Sequence, residues 1–479
     1  MKVRIFLIHF FLFLSTVVFA QSPVEKQLQH ILGQSDYQNA SIGVHVVEAE
    51  TGKPVFEFNA EKLFTPASVL KVVTSAAALE ILGPDYRFAT RIGYTGKIEN
   101  SVLKGDLIVW GGGDPSLGSE YFINHYFNPH FLETWAKYVK AAGIRKVKGN
   151  LILNSSIYDR EKIPPSWIWE DMGNYYGAGA DALTFYDNQV RIRFRSPEKS
   201  GEPTKITSVH PVVDGLDFRN EVLSSDINRD LAYVFGSPLD GTRVIRGTIP
   251  KNRSSFTIKA SNPFPGKLLA EELIKHLAQT GVFVSGTTLE KNEKPSGFNL
   301  IYETESPSLA EIVKVMNHES VNLIAEHLVK QVGFEKTGLG TRESGLKQIA
   351  QFWENAGLNR EQLIMEDGSG LSHLNAVSPE FLTAVLRFMS NSENSSLFSS
   401  SLPAAGEGTL YYFNADLLPA HQFRAKSGTL TRVRCFTGII HTKSGKEIFF
   451  SIMLNYFSGS FQTLNHELEE LFVSILENF

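Results

Sequence analysis

The sequence lacks the features that would mark a disulfide-stabilised protein, a metalloprotein or a nucleic-acid-binding protein. Its single cysteine, Cys435, cannot form an intrachain disulfide, and its apolar neighbours predict a buried thiol. The 13 histidines include no His-Glu-x-x-His pattern, and His318 and His327 are not spaced for one helical face. We therefore expect no catalytic metal and no cofactor. The formal net charge of −5 offers no basic surface for a nucleic acid.

Long hydrophobic runs are also missing, except at the N-terminus. Two basic residues precede an apolar stretch from Ile5 to Val18, and Val18-Phe19-Ala20 has the small-residue pattern of a cleavage site. This predicts a signal peptide over residues 1–20, cleaved after Ala20. The next residue is Gln21 and not a lipid-accepting cysteine, and no later segment could span a membrane. We expect an exported, periplasmic protein without a transmembrane anchor.

A Ser-x-x-Lys tetrad, Ser68 to Lys71, begins an apolar helical pattern that ends near Gly83. Thr65 suits the helix cap and Pro66 the first helical position, so Ser68 and Lys71 should share one helical face. A serine hydroxyl is a poor nucleophile, but a neighbouring lysine amine kept partly neutral by burial can take its proton. The tetrad predicts the nucleophile and base of an acyl-transfer enzyme, although the same spacing also occurs by chance on solvated helices.

Two further motifs follow in a fixed order. Ser320-Val321-Asn322 follows a helix-like stretch from Ser308 to His318, and Lys426-Ser427-Gly428-Thr429 ends a strand-like run from Gln422 to Ala425. The order Ser-x-x-Lys, Ser-x-Asn, Lys-Ser/Thr-Gly is the triple signature of the serine penicillin-recognising enzymes. Chance explains all three together much less well than it explains the tetrad alone.

The two ends of the chain predict one α/β (α+β) domain. Residues 42–48 and 54–58 alternate apolar and polar residues around a turn, which indicates a hairpin. Residues 422–425, 433–441 and 448–455 indicate three more strands. A closing helix carries an apolar face, formed by Leu468, Leu471, Phe472, Ile475 and Leu476. We expect the Ser68 helix to lie beneath the strand that carries Lys426.

The middle of the chain has a different composition, with short strands, turns and few helices. At 479 residues the chain also exceeds the usual limit for one core. We predict a signal peptide over 1–20, a catalytic domain over 21–88 and 299–479, and two mostly-β inserted domains over 89–298. A helix over about 265–280, a strand over 282–289 and an exposed linker over 290–297 should close the insertion.

With these motifs in place, the chain resembles the low-molecular-mass class C penicillin-binding proteins, the D-alanyl-D-alanine carboxypeptidases and endopeptidases. The likeness covers nearly the whole mature chain. Beyond the three motifs it rests on residues 111–117, 167–171, 316–322 and 367–372. The resemblance implies a serine β-lactamase/transpeptidase-like catalytic domain with a large two-domain insertion. It also implies peptidoglycan stem peptides as substrates and β-lactam antibiotics as inhibitors.

The resemblance further implies five catalytic roles. Ser68 would attack the carbonyl between two D-alanines, and Lys71 would be the base for acylation. Ser320 would relay a proton between Lys71 and the leaving amine. Asn322 would hold Lys71 and the substrate amide, and Lys426 would keep the site positive.

The same motif supplies substrate-binding residues. Ser427 and Thr429 would hydrogen-bond the terminal carboxylate, and the backbone N–H groups of Ser68 and Thr429 would form the oxyanion hole. Gly428 would leave room for the substrate backbone. Ser427 stands where the family usually has threonine, and both keep the hydroxyl.

A side-chain subsite is implied by four more residues. Asp171 and Tyr176 match an acid and an aromatic that receive the third stem-peptide residue, a diaminopimelate in many relatives. His373 replaces a frequent arginine, which weakens the expected grip on a distal carboxylate. Thr431 replaces a longer polar residue. The alternative for Tyr176, His373 and Thr431 is ordinary cleft surface.

Two other functions share parts of this pattern. A serine β-lactamase needs a placed base for fast deacylation, but none of Glu343, Glu361, Glu366 and Asp367 has a local pattern that recommends it. The large insertion also disfavours that function. A non-catalytic peptidoglycan-binding protein is disfavoured by the intact set of five catalytic residues. The balance of carboxypeptidase and endopeptidase action and the oligomeric state stay open.

Overall fold

The computed structural model describes residues 23–126 and 130–479, so the predicted signal peptide lies outside the described residues. The first segment contains α1 (Pro23–Gly33), β1 (Ser41–Glu48), β2 (Pro54–Phe58) and, after a 3-10 turn at Ala67–Val69, α2 (Leu70–Leu82). β1 and β2 pair antiparallel, which confirms the predicted hairpin. Helix α2 ends as predicted, because Gly83 caps it with a positive φ of 88°.

The middle segment is made mainly of short strands. Its strands are β3 (Ala89–Tyr94), β4 (Lys97–Glu99), β5 (Val102–Lys104), β6 (Leu107–Trp110), β7 (Lys146–Val147), β8 (Leu151–Asn154), β9 (Gln189–Ser196), β10 (Lys205–His210), β11 (Asp217–Ser225), β12 (Leu231–Phe235), β13 (Thr242–Pro250), β14 (Arg253–Ser261), β15 (Phe283–Val284) and β16 (Thr288–Lys291). Its helices are α3 (Ile123–Tyr126), α4 (His130–Ala141), α5 (Trp169–Met172) and α6 (Pro265–Gln279). The strand predicted over 282–289 is thus split in two, and β16 extends into the predicted linker.

The last segment returns to longer elements. It contains β17 (Asn299–Glu305), α7 (Leu309–Glu319), α8 (Asn322–Thr337), α9 (Arg342–Asn355), β18 (Leu363–Ile364), β19 (Ala376–Val377), α10 (Pro379–Ser390), α11 (Ser395–Ser401), β20 (Phe423–Leu430), β21 (Val433–His441), β22 (Glu447–Asn455) and α12 (Phe461–Asn478). Ser308 caps α7 by accepting a hydrogen bond from the backbone N–H of Glu311.

Both ends of the chain meet in one antiparallel sheet with the strand order β2-β1-β22-β21-β20. Helices cover both faces, so β21 and β22 are buried along nearly their whole length. Helices α1 and α12 pack on one face, where all five predicted apolar residues of the closing helix are buried. Helices α2, α8 and α10 contribute to the core on the other face. Cys435 on β21 is buried, as predicted.

The pairing of β17 bears on the predicted domain boundaries. β17 joins β3 antiparallel in a five-stranded sheet of the middle segment, with Glu305 opposite Ala89. A boundary after Glu305 therefore fits the sheet better than the predicted return at 299. The division of the chain into domains otherwise stays a prediction.

Candidate active site

Ser68 lies in the 3-10 turn that leads into α2, and this entry differs from the one predicted. Pro66 is the N-cap without a side-chain hydrogen bond, so Thr65 is not the cap and Pro66 is not the first helical residue. The backbone of Thr65 is instead held by Asn455 of β22, whose side chain accepts from its N–H at 2.8 Å and donates to its carbonyl at 3.1 Å. The nucleophile is thereby fixed to the sheet, because tertiary contacts outweigh local capping here.

Lys71 is completely buried and points at the nucleophile. Its Nζ lies 3.0 Å from Ser68 Oγ and donates to Asn322 Oδ1 at 2.6 Å and to the Ser369 carbonyl at 2.7 Å. Burial lowers the pKa of Lys71 to about 7, although the nearby acidic residues Asp367 and Glu326 oppose this shift. A lysine in this state exchanges a proton near neutral pH, as a general base must.

The loop over residues 367–372 places the Ser369 carbonyl against Lys71. Asp367 accepts from the backbone N–H groups of Gly370 at 2.7 Å and Ser372 at 2.6 Å and from Trp167 Nε1 at 2.8 Å. Glu326 of α8 accepts from the N–H of Ser369 at 2.9 Å. The sequence analysis gave Glu326 and Ser369 no role, and it considered Asp367 only as a base for a β-lactamase.

Ser320 and Lys426 form a second hydrogen-bonded pair. Ser320 ends α7 in the left-handed conformation, with a φ of 57°. This directs its Oγ to Lys426, whose Nζ donates to it at 2.9 Å. Burial, followed by the charges of Lys71 and Arg434, lowers the pKa of Lys426 well below its usual range. The structure therefore links Ser320 to Lys426, and the predicted relay through Lys71 stays a prediction.

Asn322, the first residue of α8, joins Lys71 to the middle segment of the chain. Its Oδ1 accepts from Lys71 and its Nδ2 donates to the Tyr176 carbonyl at 2.9 Å. The structure thus brings together all five residues that the sequence nominated as catalytic.

The strand β20 carries the remaining motif residues and runs beyond the predicted end at Ala425, through Leu430. Ser427 Oγ donates to Thr409 Oγ1 at 2.9 Å, and Thr429 is exposed to the cleft. The structure gives Gly428 a second role besides the predicted room for the substrate backbone, which stays a prediction. A Cβ there would lie 2.6 Å from the Pro66 carbonyl oxygen and 3.0 Å from the Ser68 nitrogen, so glycine lets the strand pack against the nucleophile turn.

An arginine that the sequence analysis did not select also lines this cleft. Arg434 of β21 is opposite Thr429 of β20, and its Nη1 donates to Thr429 Oγ1. Its Nη2 donates to the Tyr412 hydroxyl and its Nε to Asn465 Oδ1 at 2.9 Å. The residue follows the Lys-Ser-Gly-Thr motif by only a few positions, but no local pattern distinguishes it from a surface arginine.

The four residues of the predicted subsite line the same cleft, which has a volume of about 530 Å³. Burial raises the pKa of Asp171 to about 6, while Tyr176 and the charge of His373 oppose the shift. Within the described chain, the buried Oδ2 of Asp171 has no hydrogen-bond partner. Tyr176 is half-buried, and His373 and Thr431 are exposed at the rim.

The described part of the chain offers neither a metal site nor a membrane-spanning helix. Over residues 23–126 and 130–479, no three His, Cys, Asp or Glu side chains cluster in a way that could hold a metal ion. Within the same ranges, no helix combines the length and hydrophobicity needed to cross a membrane.

Two known proteins resemble the chain over most of its length. The chain is 28% identical over 459 residues to a D-alanyl-D-alanine carboxypeptidase of Actinomadura sp., covering 91% of this chain and 82% of that protein. It is 25% identical over 432 residues to the D-alanyl-D-alanine carboxypeptidase DacB of Haemophilus influenzae, covering 88% and 86%.

A solved structure extends the likeness to the fold. The crystal structure of penicillin-binding protein 4 from H. influenzae matches with a TM-score of 0.81 at 22% identity, over 95% of this chain and 100% of that one. This match confirms the predicted mixed α/β fold of the transpeptidase type. The model of the D-Ala-D-Ala carboxypeptidase 3 (S13) family matches residues 24–470. The chain therefore belongs to the D-Ala-D-Ala carboxypeptidase 3 (S13) family and is a serine-type D-Ala-D-Ala carboxypeptidase.

Proposed function

We propose that this protein cleaves the D-Ala-D-Ala bond of peptidoglycan stem peptides through an acyl-enzyme on Ser68, and that β-lactams acylate the same oxygen. The observation that carries the proposal is the 3.0 Å contact between Ser68 Oγ and the buried Lys71 amine. A relative of this chain, penicillin-binding protein 4 of H. influenzae, has been crystallised in complex with a β-lactam, which supports the second part.

Acylation begins when the neutral Lys71 amine takes the Ser68 hydroxyl proton. Ser68 Oγ then forms a bond to the carbonyl carbon, and the C–N bond to the last D-alanine breaks. The departing amine gains a proton from the Ser320 hydroxyl, which Lys426 replenishes across their 2.9 Å hydrogen bond. The backbone N–H groups of Ser68 and Thr429 stabilise the oxyanion.

Deacylation restores the enzyme. The proton that Lys71 took from Ser68 first passes through Ser320 to Lys426, which leaves the Lys71 amine neutral again. A water molecule then gives a proton to Lys71 and adds to the ester carbonyl, and the ester bond to Ser68 Oγ breaks. Ser68 regains the proton from Lys71. The contacts of Lys71 to Asn322 Oδ1 and to the Ser369 carbonyl hold the amine in place through both steps. Release of a cross-linked partner instead of D-alanine would make the same enzyme an endopeptidase.

The subsite around Asp171 receives the third residue of the stem peptide in this proposal. An ammonium group on that residue would pair with the Asp171 oxygen that has no hydrogen-bond partner in the described chain. The aliphatic part of its side chain would lie along Tyr176, with His373 and Thr431 at the rim. His373 stands where many relatives have an arginine, and it should bind a distal carboxylate less tightly. The reason is that only a guanidinium is permanently charged and offers a fork of donors.

The proposal places the protein in the periplasm. Its support is the signal-peptide pattern of residues 1–20 and the bacterial carboxypeptidases that the chain resembles.

Ser427 and Thr429, with the positive charge of Lys426 behind them, would bind the terminal carboxylate of the stem peptide.

The test is intact-protein mass spectrometry after brief incubation with benzylpenicillin, comparing the mature protein with Ser68→Ala. We expect an adduct of one drug mass on the wild type alone and release of D-alanine from a stem pentapeptide by the wild type alone. Rapid drug hydrolysis without an adduct would favour the β-lactamase. The absence of both an adduct and drug hydrolysis would favour the non-catalytic binding protein.

A further inference from the structure

Arg434 is a buried cation without a buried anion. Its side chain is only 6% exposed, and the rings of Tyr412 and Phe436 lie 4.9 and 4.6 Å from its guanidinium carbon. Its three hydrogen-bond acceptors, Thr429, Tyr412 and Asn465, are all neutral. No carboxylate in the described ranges forms an ion pair with it. Buried charges are normally paired, because removing an ion from water costs several kcal/mol.

The surrounding charges do not supply the missing anion. Lys426 approaches from the neighbouring strand, and the positive charge of Arg434 contributes to lowering its pKa. The other titratable groups near Arg434 are the hydroxyls of Tyr411 and Tyr412 and the thiol of Cys435, which follows it on β21. The two buried acidic residues of the site, Glu326 and Asp367, instead act on Lys71. Among the described residues no carboxylate pairs with Arg434, so its positive charge faces this end of the cleft without a partner.

The hydrogen bond from Arg434 to Thr429 sets the direction of a second donor. Because Thr429 Oγ1 accepts from the guanidinium, its own hydroxyl proton is left to donate elsewhere. Thr429 is exposed on the edge strand that lines the cleft. Its hydroxyl is thus a polarised donor that faces the place where a substrate would lie.

We infer that Arg434 makes the cleft selective for a substrate whose leaving residue carries a free α-carboxylate, by orienting Thr429 and supplying a fixed positive charge. This inference rests on the proposed function and adds Arg434 as a specificity-determining residue for the terminal carboxylate that Ser427 and Thr429 would bind. A guanidinium stays charged at every pH at which the enzyme works, whereas Lys426 does not retain its charge as firmly. Arg434 is a positioning residue, since it acts through Thr429 and through its field.

The test compares a stem pentapeptide ending in D-Ala-D-Ala with the same peptide ending in a carboxamide. For the acid peptide, Arg434→Gln should lower kcat/KM at least about 30-fold, mainly through KM, the equivalent of about 2 kcal/mol. For the amide peptide the change should be less than about threefold, so the preference for acid over amide collapses. If the role of Arg434 were purely structural, the variant would lower kcat/KM for both peptides alike and leave the ratio of the two values unchanged.

Two other variants complete the design. Arg432→Gln removes the same charge from the same hairpin, at a side chain that donates to the Phe457 carbonyl at 3.1 Å, and should keep the wild-type ratio. Arg434→Lys keeps the charge but not the fork of donors, so it should retain part of the acid preference. If Arg434→Gln does not fold, an unchanged KM for the acid peptide in Arg434→Lys overturns the inference.

The two proposals fail in different ways. If the wild type neither cleaves the acid peptide nor forms the Ser68 adduct, the proposed function fails. If the wild type cleaves the acid peptide and forms the adduct, but Arg434→Gln still prefers the acid peptide by the wild-type ratio, only the inference about Arg434 is wrong.

Discussion

Trp167 donates a 2.8 Å hydrogen bond from Nε1 to the Asp367 carboxylate, and both side chains are buried. Trp167 belongs to the middle segment of the chain, 200 residues before Asp367. Asp367 in turn organises the loop whose Ser369 carbonyl contacts Lys71. The middle segment therefore supports the catalytic lysine through one tryptophan.

Trp167→Phe tests this support. The variant keeps an aromatic ring, although a smaller one, and removes a hydrogen bond to a charged group, so we expect a loss of about 2 kcal/mol or more in the free energy of unfolding. The kcat/KM for peptide hydrolysis should fall several-fold. Chemical denaturation and steady-state kinetics measure the two effects, with exposed Trp169→Phe as the control. Lower stability with unchanged kinetics would show that Trp167 does not position the loop.

The pH dependence of acylation follows from Lys71. Its pKa of about 7 means that the neutral amine, which is the base, increases as the pH rises through 7. The second-order rate of acylation by benzylpenicillin should therefore rise up to about pH 7 and level off above it. Lys71→Arg, a permanent cation, should lose about 10²–10⁴-fold in this rate, and Lys62→Arg on the surface should lose none. A flat profile between pH 5 and 9 contradicts the role of Lys71.

Glu326→Gln should make the protein more stable at alkaline pH. Burial and the Asp367 charge raise the pKa of Glu326 to about 8, above its ordinary value of 4.5. The folded protein thus keeps a proton that the unfolded chain has released, and its stability falls as the pH rises from about 4.5 through 8. Glutamine keeps the acceptor for the Ser369 N–H without titrating. We expect the variant's advantage in unfolding free energy to grow by at least about 1 kcal/mol between pH 4.5 and 8.5. An advantage independent of pH would be evidence against this raised pKa.

Gly370→Ala should disturb the nucleophile turn. Its φ is +84°, and a Cβ would lie 1.9 Å from the Ala67 carbonyl oxygen, next to Ser68. Gly357 has a nearly equal φ of +86° but nothing within 4 Å of such a Cβ, so Gly357→Ala isolates the cost of the backbone angle. Thermal unfolding should show about 1–2 kcal/mol of destabilisation for Gly357→Ala. We expect about 3 kcal/mol or more for Gly370→Ala, with slower acylation by benzylpenicillin in that variant only. Equal effects would exclude the contact with Ala67 as the cause.

Asp171→Asn should remove the preference for an amine on the third residue of the peptide. With a pKa of about 6, Asp171 becomes an anion above that pH, so the preference for lysine over alanine should rise through pH 6. In the variant we expect a loss of about tenfold in this ratio, or about 1.4 kcal/mol. Glu170→Gln removes the neighbouring exposed carboxylate and should change the ratio less. If the ratio is the same in Asp171→Asn as in the wild type, Asp171 does not bind that amine.

Local sequence determined much of the catalytic framework. The hairpin over 41–58 and the closing helix were predictable because each buries one periodic apolar face, and periodicity can be read over a few residues. The five motif residues were predictable because each motif is short and the three occur in order. The start of α2 was not, because Asn455, 390 residues away, holds Thr65 in place of a local cap.

The electrostatics of the site depend on contacts between distant parts of the chain. Lys71 meets Asn322 and Ser369 across 251 and 298 residues of sequence, and its lowered pKa comes from burial that no local pattern reveals. Glu326 looks like any helical glutamate until α8 places it under the 367–372 loop. Arg434 likewise becomes distinctive only when pairing with β20 buries it beside Thr429. Which groups can react is legible in short local motifs. Their charge states and distances are set by packing, because both depend on residues brought together from distant parts of the chain.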